Sequence, residues 1–153
     1  TDWIDEFDYY TYLDADELFR LYWNNLENDI IEFGIEVSAT GWIALGISPN
    51  GQMPSSDIMI GWVDDDGEVY LQDRYTESRT TPLLDPHQNL TLISGEQADG
   101  MTRIRFKRAK YTCNENDVQL AQGTTRVIWA FHSTADPTTE LFDSSSITYH
   151  TNK

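Results

Sequence analysis

The sequence predicts an all-β domain, a sandwich or barrel of short strands, and three observations lead to that prediction. Short runs rich in Val, Ile, Tyr, Phe and Trp recur along the chain. Clusters of Gly, Pro, Asn, Asp and Ser separate these runs, as turns do. No stretch of ~12 residues repeats apolar side chains at helical spacing. Many short strands between turns are typical of a sandwich or barrel rather than of a parallel sheet with crossovers.

At least eight runs fit strands. In chain order they are residues 18–23, 30–37, 42–47, 57–63, 68–73, 90–94, 101–107 and 126–131. Residues 24–29, Asn-Asn-Leu-Glu-Asn-Asp, are rich in turn-forming side chains and predict a hairpin between the first two runs. The acidic run of residues 64–66, followed by Gly67, predicts a second hairpin between the fourth and fifth.

The length of 153 residues is enough for one hydrophobic core. No repeat or linker divides the chain, so residues 1–153 are expected to form a single domain. No apolar run approaches the ~18 residues that a membrane-spanning helix needs, and we expect no membrane insertion.

The charge of the chain restricts its partners. Twenty-six acidic residues against ten basic ones give a formal net charge of -16, which repels phosphate backbones. We therefore expect no nucleic acid among its partners. The same field raises the local concentration of cations, which makes a bound calcium or sodium ion or a basic protein surface favourable.

The sequence shows none of the motifs by which most enzymes arrange their catalytic side chains. His87, His132 and His150 form no motif with Ser or Cys that would indicate a nucleophile and its base. No pair of histidines has the spacing of a zinc or copper site, and no glycine-rich loop opens a helix as in nucleotide-binding folds. We therefore expect no catalytic residues in this chain.

One cysteine, Cys113, is present, so an internal disulfide is excluded. It is either a buried, idle thiol or a cysteine whose partner lies in another domain or chain. Residues 89–91, Asn-Leu-Thr, form a glycosylation sequon of the kind found in secreted glycoproteins.

Arg103, Arg105 and Lys107 alternate with Ile104 and Phe106, which places the three bases on one face of the predicted strand. This basic strip is either an ordinary exposed strand face or a surface that docks an acidic neighbour.

Segments along nearly the whole chain resemble the DOMON domain, and most of all the N-terminal domain of the dopamine β-hydroxylase and monooxygenase X family. The most distinctive are TGWIALGIS at residues 40–48, DIMIGWV at 57–63 and VIWA at 127–130. The others are residues 12–14, 21–23, 51–53, 73–75, 84–89, 104–108, 112–114, 117 and 147–150.

This resemblance implies an immunoglobulin-like antiparallel β-sandwich, the DOMON fold, in a secreted protein or in the lumen of the secretory pathway. In the hydroxylase family the reaction belongs to two copper domains downstream, so the chain is implied to be a non-catalytic accessory domain, excised from or related to a larger secreted protein. The family places a cysteine at position 113 that pairs with one far downstream. Cys113 and the basic strip of Arg103, Arg105 and Lys107 are therefore expected to meet a neighbouring domain or protein partner.

The resemblance also implies a small cation site for calcium or sodium. Its ligands fall on the Asp57 side chain, on backbone groups of Ile58 and Arg74, and on Asn89, where the family has an acid. An amide oxygen still binds a hard cation, but a glycan on Asn89 would remove that role.

Two further relatives imply alternatives. Some DOMON modules are cytochromes that hold haem b between a methionine and a histidine, for which Met53 and His150 are the candidates. Others bind sugars, which stack on exposed aromatic rings such as those of Tyr9, Tyr10 and Trp62.

Overall fold

The computed structural model describes residues 2–79, 81–120 and 124–137. Within these ranges it has one short 3₁₀ helix, Trp3–Asp5, and ten strands. In chain order they are β1 Tyr9–Tyr12, β2 Phe19–Leu26, β3 Ile30–Val37, β4 Ile43–Ser48, β5 Asp57–Val63, β6 Val69–Tyr75, β7 Leu83–Leu84, β8 Thr91–Ala98, β9 Met101–Ala109 and β10 Arg126–Phe131. No helix among the described residues is long and apolar enough to cross a membrane.

The strands form two five-stranded sheets, in the orders β1-β2-β3-β9-β8 and β10-β4-β5-β6-β7. Every described strand pair is antiparallel. One apolar cluster fills the space between the sheets, with Phe19, Ile35 and Phe106 from the first and Leu45 and Met59 from the second. The prediction of an all-β antiparallel sandwich is confirmed, and the two separate sheets exclude the barrel.

The eight predicted strands are present, and β1 and β7 are additional. The first hairpin turns later than predicted, because β2 continues to Leu26 through two asparagines. The buried Asn24 stays in the strand because its amide donates to Glu32 Oε2 at 3.1 Å and its oxygen accepts from the Asp8 N–H at 2.6 Å. The turn falls instead on residues 27–29, where Asn28 has a φ of 61°, a conformation that asparagine tolerates.

The N-terminal strap, which we define as residues 2–8, covers the outer face of the first sheet. The rings of Trp3 and Phe7 lie 5.6 Å and 5.4 Å from the ring of Tyr22 in β2. They occupy the space beside Gly34 in β3, where an added Cβ would lie 2.9 Å from both rings. The missing side chain of Gly34 therefore makes room for the strap.

Gly34→Ala is accordingly expected to displace the strap and to lower the free energy of unfolding by about 1–3 kcal/mol, as overpacking does. Chemical unfolding measures the loss, and faster amide hydrogen exchange in residues 3–8 locates it. Ser38→Ala, at an exposed position just after the same strand, is the control. Unchanged exchange in the strap of Gly34→Ala would show that the close packing described here is wrong.

Candidate metal centre

A group of carboxylates lies between the two sheets at one end of the sandwich, where strand alternation directs them inward. Asp57 begins β5, two residues before the core residue Met59. Asp73 in β6 pairs directly with Met59 across the sheet. Residues two apart in a strand, and residues directly opposite each other, share a face. Both aspartates therefore point into the sandwich instead of into solvent.

A third carboxylate, Asp117, joins them from the loop that follows β9. One oxygen from each of Asp57, Asp73 and Asp117 lies within 4.8 Å of the others. The three residues are 5%, 1% and 8% exposed. Such a concentration of buried negative charge is costly unless it is protonated, paired or bound to a cation. We call these three residues the acidic triad.

All three carboxylates of the triad have protein partners, but one buried oxygen has none. Asp57 Oδ2 accepts from Arg108 Nη1 at 2.5 Å and from the Val118 N–H at 3.2 Å. Asp73 Oδ2 accepts from the Asn89 N–H at 2.9 Å. The other oxygen of Asp73, Oδ1, is buried and has no hydrogen-bond partner among the described residues.

A second layer of polar side chains surrounds the triad. Asn114 donates from Nδ2 to Asp85 Oδ2 at 2.7 Å and lies 3.3 Å from Asp117 Oδ1. Thr112 Oγ1 donates to Asp117 Oδ2 at 2.7 Å. Asp85 is only 1% exposed and is a fourth buried carboxylate beside the triad. These hydrogen bonds hold Asp117 in place. The atoms that the site offers to a ligand are mainly oxygens.

Burial raises the pKa of all three triad carboxyls. It raises the pKa of Asp73 to about 8, and the nearby Asp57 and Asp117 carboxylates add to the rise while the Asn89 N–H opposes it. It raises the pKa of Asp57 to about 6 against the attraction of the Arg108 guanidinium. The pKa of Asp117 is raised by the same desolvation. The triad is thus poorly compensated without a cation.

The predicted cation ligands lie at or beside this group. Asp57 belongs to the triad, and the side-chain amide of Asn89 lies between Asn114 and Asp117. Ile58 and Arg74 pair with each other in β5 and β6, next to Asp57 and Asp73. Their side chains are engaged elsewhere: Ile58 packs with Trp42, and Arg74 Nη1 donates to the Pro82 carbonyl at 2.7 Å. Backbone coordination by these two residues stays a prediction.

Asp73, Asp117, Asp85 and Asn114 were not among the predicted ligands. A signal for Asp73 existed in the sequence, because a hairpin centred on the acidic loop of residues 64–67 pairs residue 73 with residue 59 and so places Asp73 on the face of Asp57. No periodic pattern marks Asp117 or Asn114, which lie in irregular structure. Their contacts arise from the tertiary fold.

The haem and sugar candidates are placed only in part. Met53 is half-buried in the loop between β4 and β5, and its carbonyl accepts a hydrogen bond from Thr76 Oγ1. His150 lies outside the described residues. Tyr9 and Tyr10 are about half exposed, whereas Trp62 is 3% exposed and stacks on Tyr70, so its ring is not available to a sugar.

Cys113 is exposed, so the condition for a bridge to a neighbour, a reachable thiol, is met.

Arg103 and Arg105 lie on the outer face of β9 as predicted, but both contact neighbours within the chain. Arg103 lies over the ring of Trp3 at 4.0 Å and Arg105 over that of Phe7 at 4.6 Å. Arg105 also forms ion pairs with Glu6 and Glu32. Within this chain, the acidic and aromatic side chains of the strap therefore contact the two arginines of the basic strip. Docking of the strip, including Lys107, on a partner stays a prediction.

Curated relatives match most of this chain but only a part of their own length. DBH-like monooxygenase protein 1 of Gallus gallus is 36% identical over 120 residues, which cover 78% of this chain and 19% of the relative. MOXD1 homolog 2 of Drosophila melanogaster is 32% identical over 128 residues, 82% of this chain and 17% of the relative. Dopamine beta-hydroxylase of Rattus norvegicus is 24% identical over 143 residues, which cover 92% of this chain and 23% of the relative. The chain spans about a fifth of the length of these proteins.

Two solved structures share the fold. The cytochrome b domain of pyranose dehydrogenase from Coprinopsis cinerea superposes with a TM-score of 0.70 at 21% identity, covering 94% of this chain and 76% of that chain. The cytochrome domain of cellobiose dehydrogenase from Myriococcum thermophilum gives 0.72 at 15% identity, with 94% and 77% coverage. At these identities the likeness shows the fold alone.

The family profile of the DOMON domain matches residues 15–132. This range begins just before β2 and ends just after β10, so it includes the core of both sheets and all three carboxylates of the triad. The expected resemblance is confirmed, and the chain belongs to the DOMON domain family.

Proposed function

We propose that this DOMON domain is a non-catalytic module that binds a calcium ion at the acidic triad and docks on a neighbouring domain of a secreted, copper-monooxygenase-like protein. The observation that carries the proposal is the unpartnered Oδ1 of Asp73, 1% exposed and beside two other buried carboxylates. A buried carboxylate oxygen without a donor is destabilising on its own, and a cation removes the penalty.

The chemistry of the site favours a hard cation. The acidic triad and its surroundings offer carboxylate and amide oxygens, and the triad contains no histidine or cysteine. Calcium accepts six to eight oxygen ligands in flexible geometry, whereas zinc and copper prefer nitrogen and sulfur. Three carboxylates against one guanidinium, that of Arg108, leave an excess of negative charge that favours a divalent ion over sodium.

Calorimetric titration of the chelator-treated domain with calcium tests the proposal. We expect one calcium ion per domain and a rise in melting temperature, since the ion binds only the folded state. Asp73→Asn keeps the shape of the side chain and removes its charge, so calcium affinity should fall at least tenfold, which corresponds to ~1.4 kcal/mol. Asp66→Asn, in the exposed hairpin loop, is the matched control and should bind like the unchanged domain.

Equal calcium affinity in Asp73→Asn and the unchanged domain would show that the triad is not the site. A melt that responds to sodium and not to calcium would keep the site and correct the ion. A domain that takes up neither ion would contradict the proposal as a whole.

The accessory role and the location follow the relatives. The relatives at 32–36% identity are named as DBH-like monooxygenase or MOXD1 proteins, and this chain corresponds to about a fifth of each. The exposed Cys113 suits the oxidising secretory pathway. Mass spectrometry of the intact protein secreted from a eukaryotic cell tests this location: we expect Cys113 in a disulfide with a cysteine of another domain, and a free thiol on a retained protein would contradict it.

Haem b held by Met53 and His150 is the second candidate, favoured by the half-buried position of Met53 in a fold shared with two cytochrome domains. Six-coordinate Met/His iron has a sharp visible spectrum when it is reduced. Haem added to the domain should give that spectrum, and Met53→Leu should abolish it. A colourless domain after haem addition would remove this candidate.

A further inference from the structure

The loop after β9 connects the acidic triad to the surface. We name residues 110–120 the Cys113 loop. It is closed at its base by the Leu120 N–H, which donates to the Lys110 carbonyl at 2.7 Å. Residues 111–115 alternate between exposed residues and residues that contact the buried carboxylates.

The inward residues of the loop contact the buried carboxylates, and Val118 and Leu120 also pack against the apolar core. Asn114 donates to Asp85 at 2.7 Å, and Thr112 donates to Asp117 at 2.7 Å within the loop itself. The Val118 N–H donates to Asp57, and the Val118 carbonyl accepts from Arg108 Nη2 at 2.9 Å. The polar contacts of Thr112, Asn114 and Val118 therefore depend on the electrostatic state of the triad, while the ends of the loop are held by packing and backbone contacts.

The outward residues form an exposed patch on the same loop. Tyr111 is 52% exposed, and Cys113 and Glu115 are exposed as well. Cys113 lies directly between two inward residues, Thr112 and Asn114. The exposed thiol is thus one residue away, on either side, from a contact with the buried carboxylates.

We infer that a cation at the triad orders the Cys113 loop, so that the binding of the ion controls how the domain presents Tyr111 and Cys113 to a neighbour. This inference rests on the proposed cation site, to which the unpartnered Asp73 Oδ1 points independently of the cysteine. Without a cation, an ionised Asp117 is desolvated beside two other buried carboxyl groups, and this penalty works against the closed loop. With a cation between them, the same three carboxylates hold Asp117 in place, and the loop with it.

A nitroxide spin label on Cys113 tests the inference, because the chain has one cysteine and that cysteine is exposed. We expect a mobile label in chelator and an immobilised label in calcium. Amide hydrogen exchange of residues 110–120 should slow about tenfold or more when calcium saturates the site. Exchange at the β8–β9 turn, around Gly100, should not change. A label moved to an exposed position elsewhere, in the double variant Cys113→Ser, Ser38→Cys, is the second control.

Asn114→Ala removes the loop's contacts with Asp85 and with Asp117 Oδ1 and keeps the three carboxylates of the triad themselves. If calorimetry still detects calcium binding in this variant, we expect the response of the Cys113 label to weaken. Calcium binding to the unchanged domain without any change in label mobility or loop exchange would overturn the inference and leave the proposed function standing. Absence of calcium binding in the unchanged domain would overturn both, and the titration separates the two outcomes.

Discussion

Arg108→Met is expected to lower the free energy of unfolding of the cation-free domain by about 3–5 kcal/mol, the range for breaking one side of a buried ion pair. Arg108 Nη1 lies 2.5 Å from Asp57 Oδ2, and both side chains are almost fully buried, at 3% and 6% exposure. Methionine fills a similar volume and leaves the Asp57 carboxylate without its cation. Chemical unfolding in chelator at neutral pH measures the effect.

The double variant Arg108→Met, Asp57→Asn separates lost pairing from lost packing. It removes both charges, so we expect it to recover a substantial part of the stability that Arg108→Met loses. Calcium should also recover more stability in Arg108→Met than in the unchanged domain, because the free Asp57 carboxylate gains a new partner. A loss below about 1 kcal/mol in Arg108→Met, as for an exposed pair, would mean that Asp57 is solvated or protonated in solution.

The second large effect is an inverse dependence of stability on pH. The folded pKa values of Asp73, about 8, and Asp57, about 6, lie above the ~3.9 of an unfolded aspartate. Between about pH 4 and about pH 8, the folded domain therefore binds more protons than the unfolded chain. The stability that these groups contribute is complete below about pH 4 and is lost as the pH rises through about 6 and about 8.

Comparison with Asp73→Asn isolates this effect from the other titrating groups. In chelator, the stability difference in favour of the asparagine variant should grow from about pH 5 to about pH 8, by at most ~1.4 kcal/mol per pH unit. Because calcium requires ionised ligands, the rise in melting temperature that it causes should grow over the same range. A difference between the variants that is constant with pH would contradict the raised pKa of Asp73.

Eight of the ten strands in the described residues were predictable because each of the eight has a local signal. β5 and β6 carry apolar and aromatic runs around an acidic turn, and the turn closes as expected, with Asp64 Oδ1 accepting from the Glu68 N–H at 2.9 Å. β7 has two residues and was missed because its pairing with β6 has no periodic pattern of its own. The strap was missed for a similar reason: Trp3 and Phe7 are apolar residues without strand alternation, and their place is set by the gap at Gly34.

The residues of the candidate site were predictable only in part, at Asp57 and Asn89. Asp57 was identified through the family resemblance, whereas Asp73 required the register of the β5–β6 hairpin to be combined with the direction of each side chain. Asp117 and Asn114 depend on how the Cys113 loop folds back between the sheets, which is a contact between segments far apart in sequence. The basic strip shows the same limit, because alternation placed Arg103 and Arg105 on one face but did not reveal that the strap lies across them.

The most direct test of the calcium site is a crystal structure of the domain grown with calcium, with an anomalous difference map at a long wavelength. We predict one strong peak between the carboxylates of Asp57, Asp73 and Asp117, at ~2.3–2.6 Å from their oxygens, and no such peak in crystals of Asp73→Asn. A map without a peak among these three carboxylates, at calcium concentrations that saturate any binding seen in solution, would contradict the assignment of the triad as a metal centre.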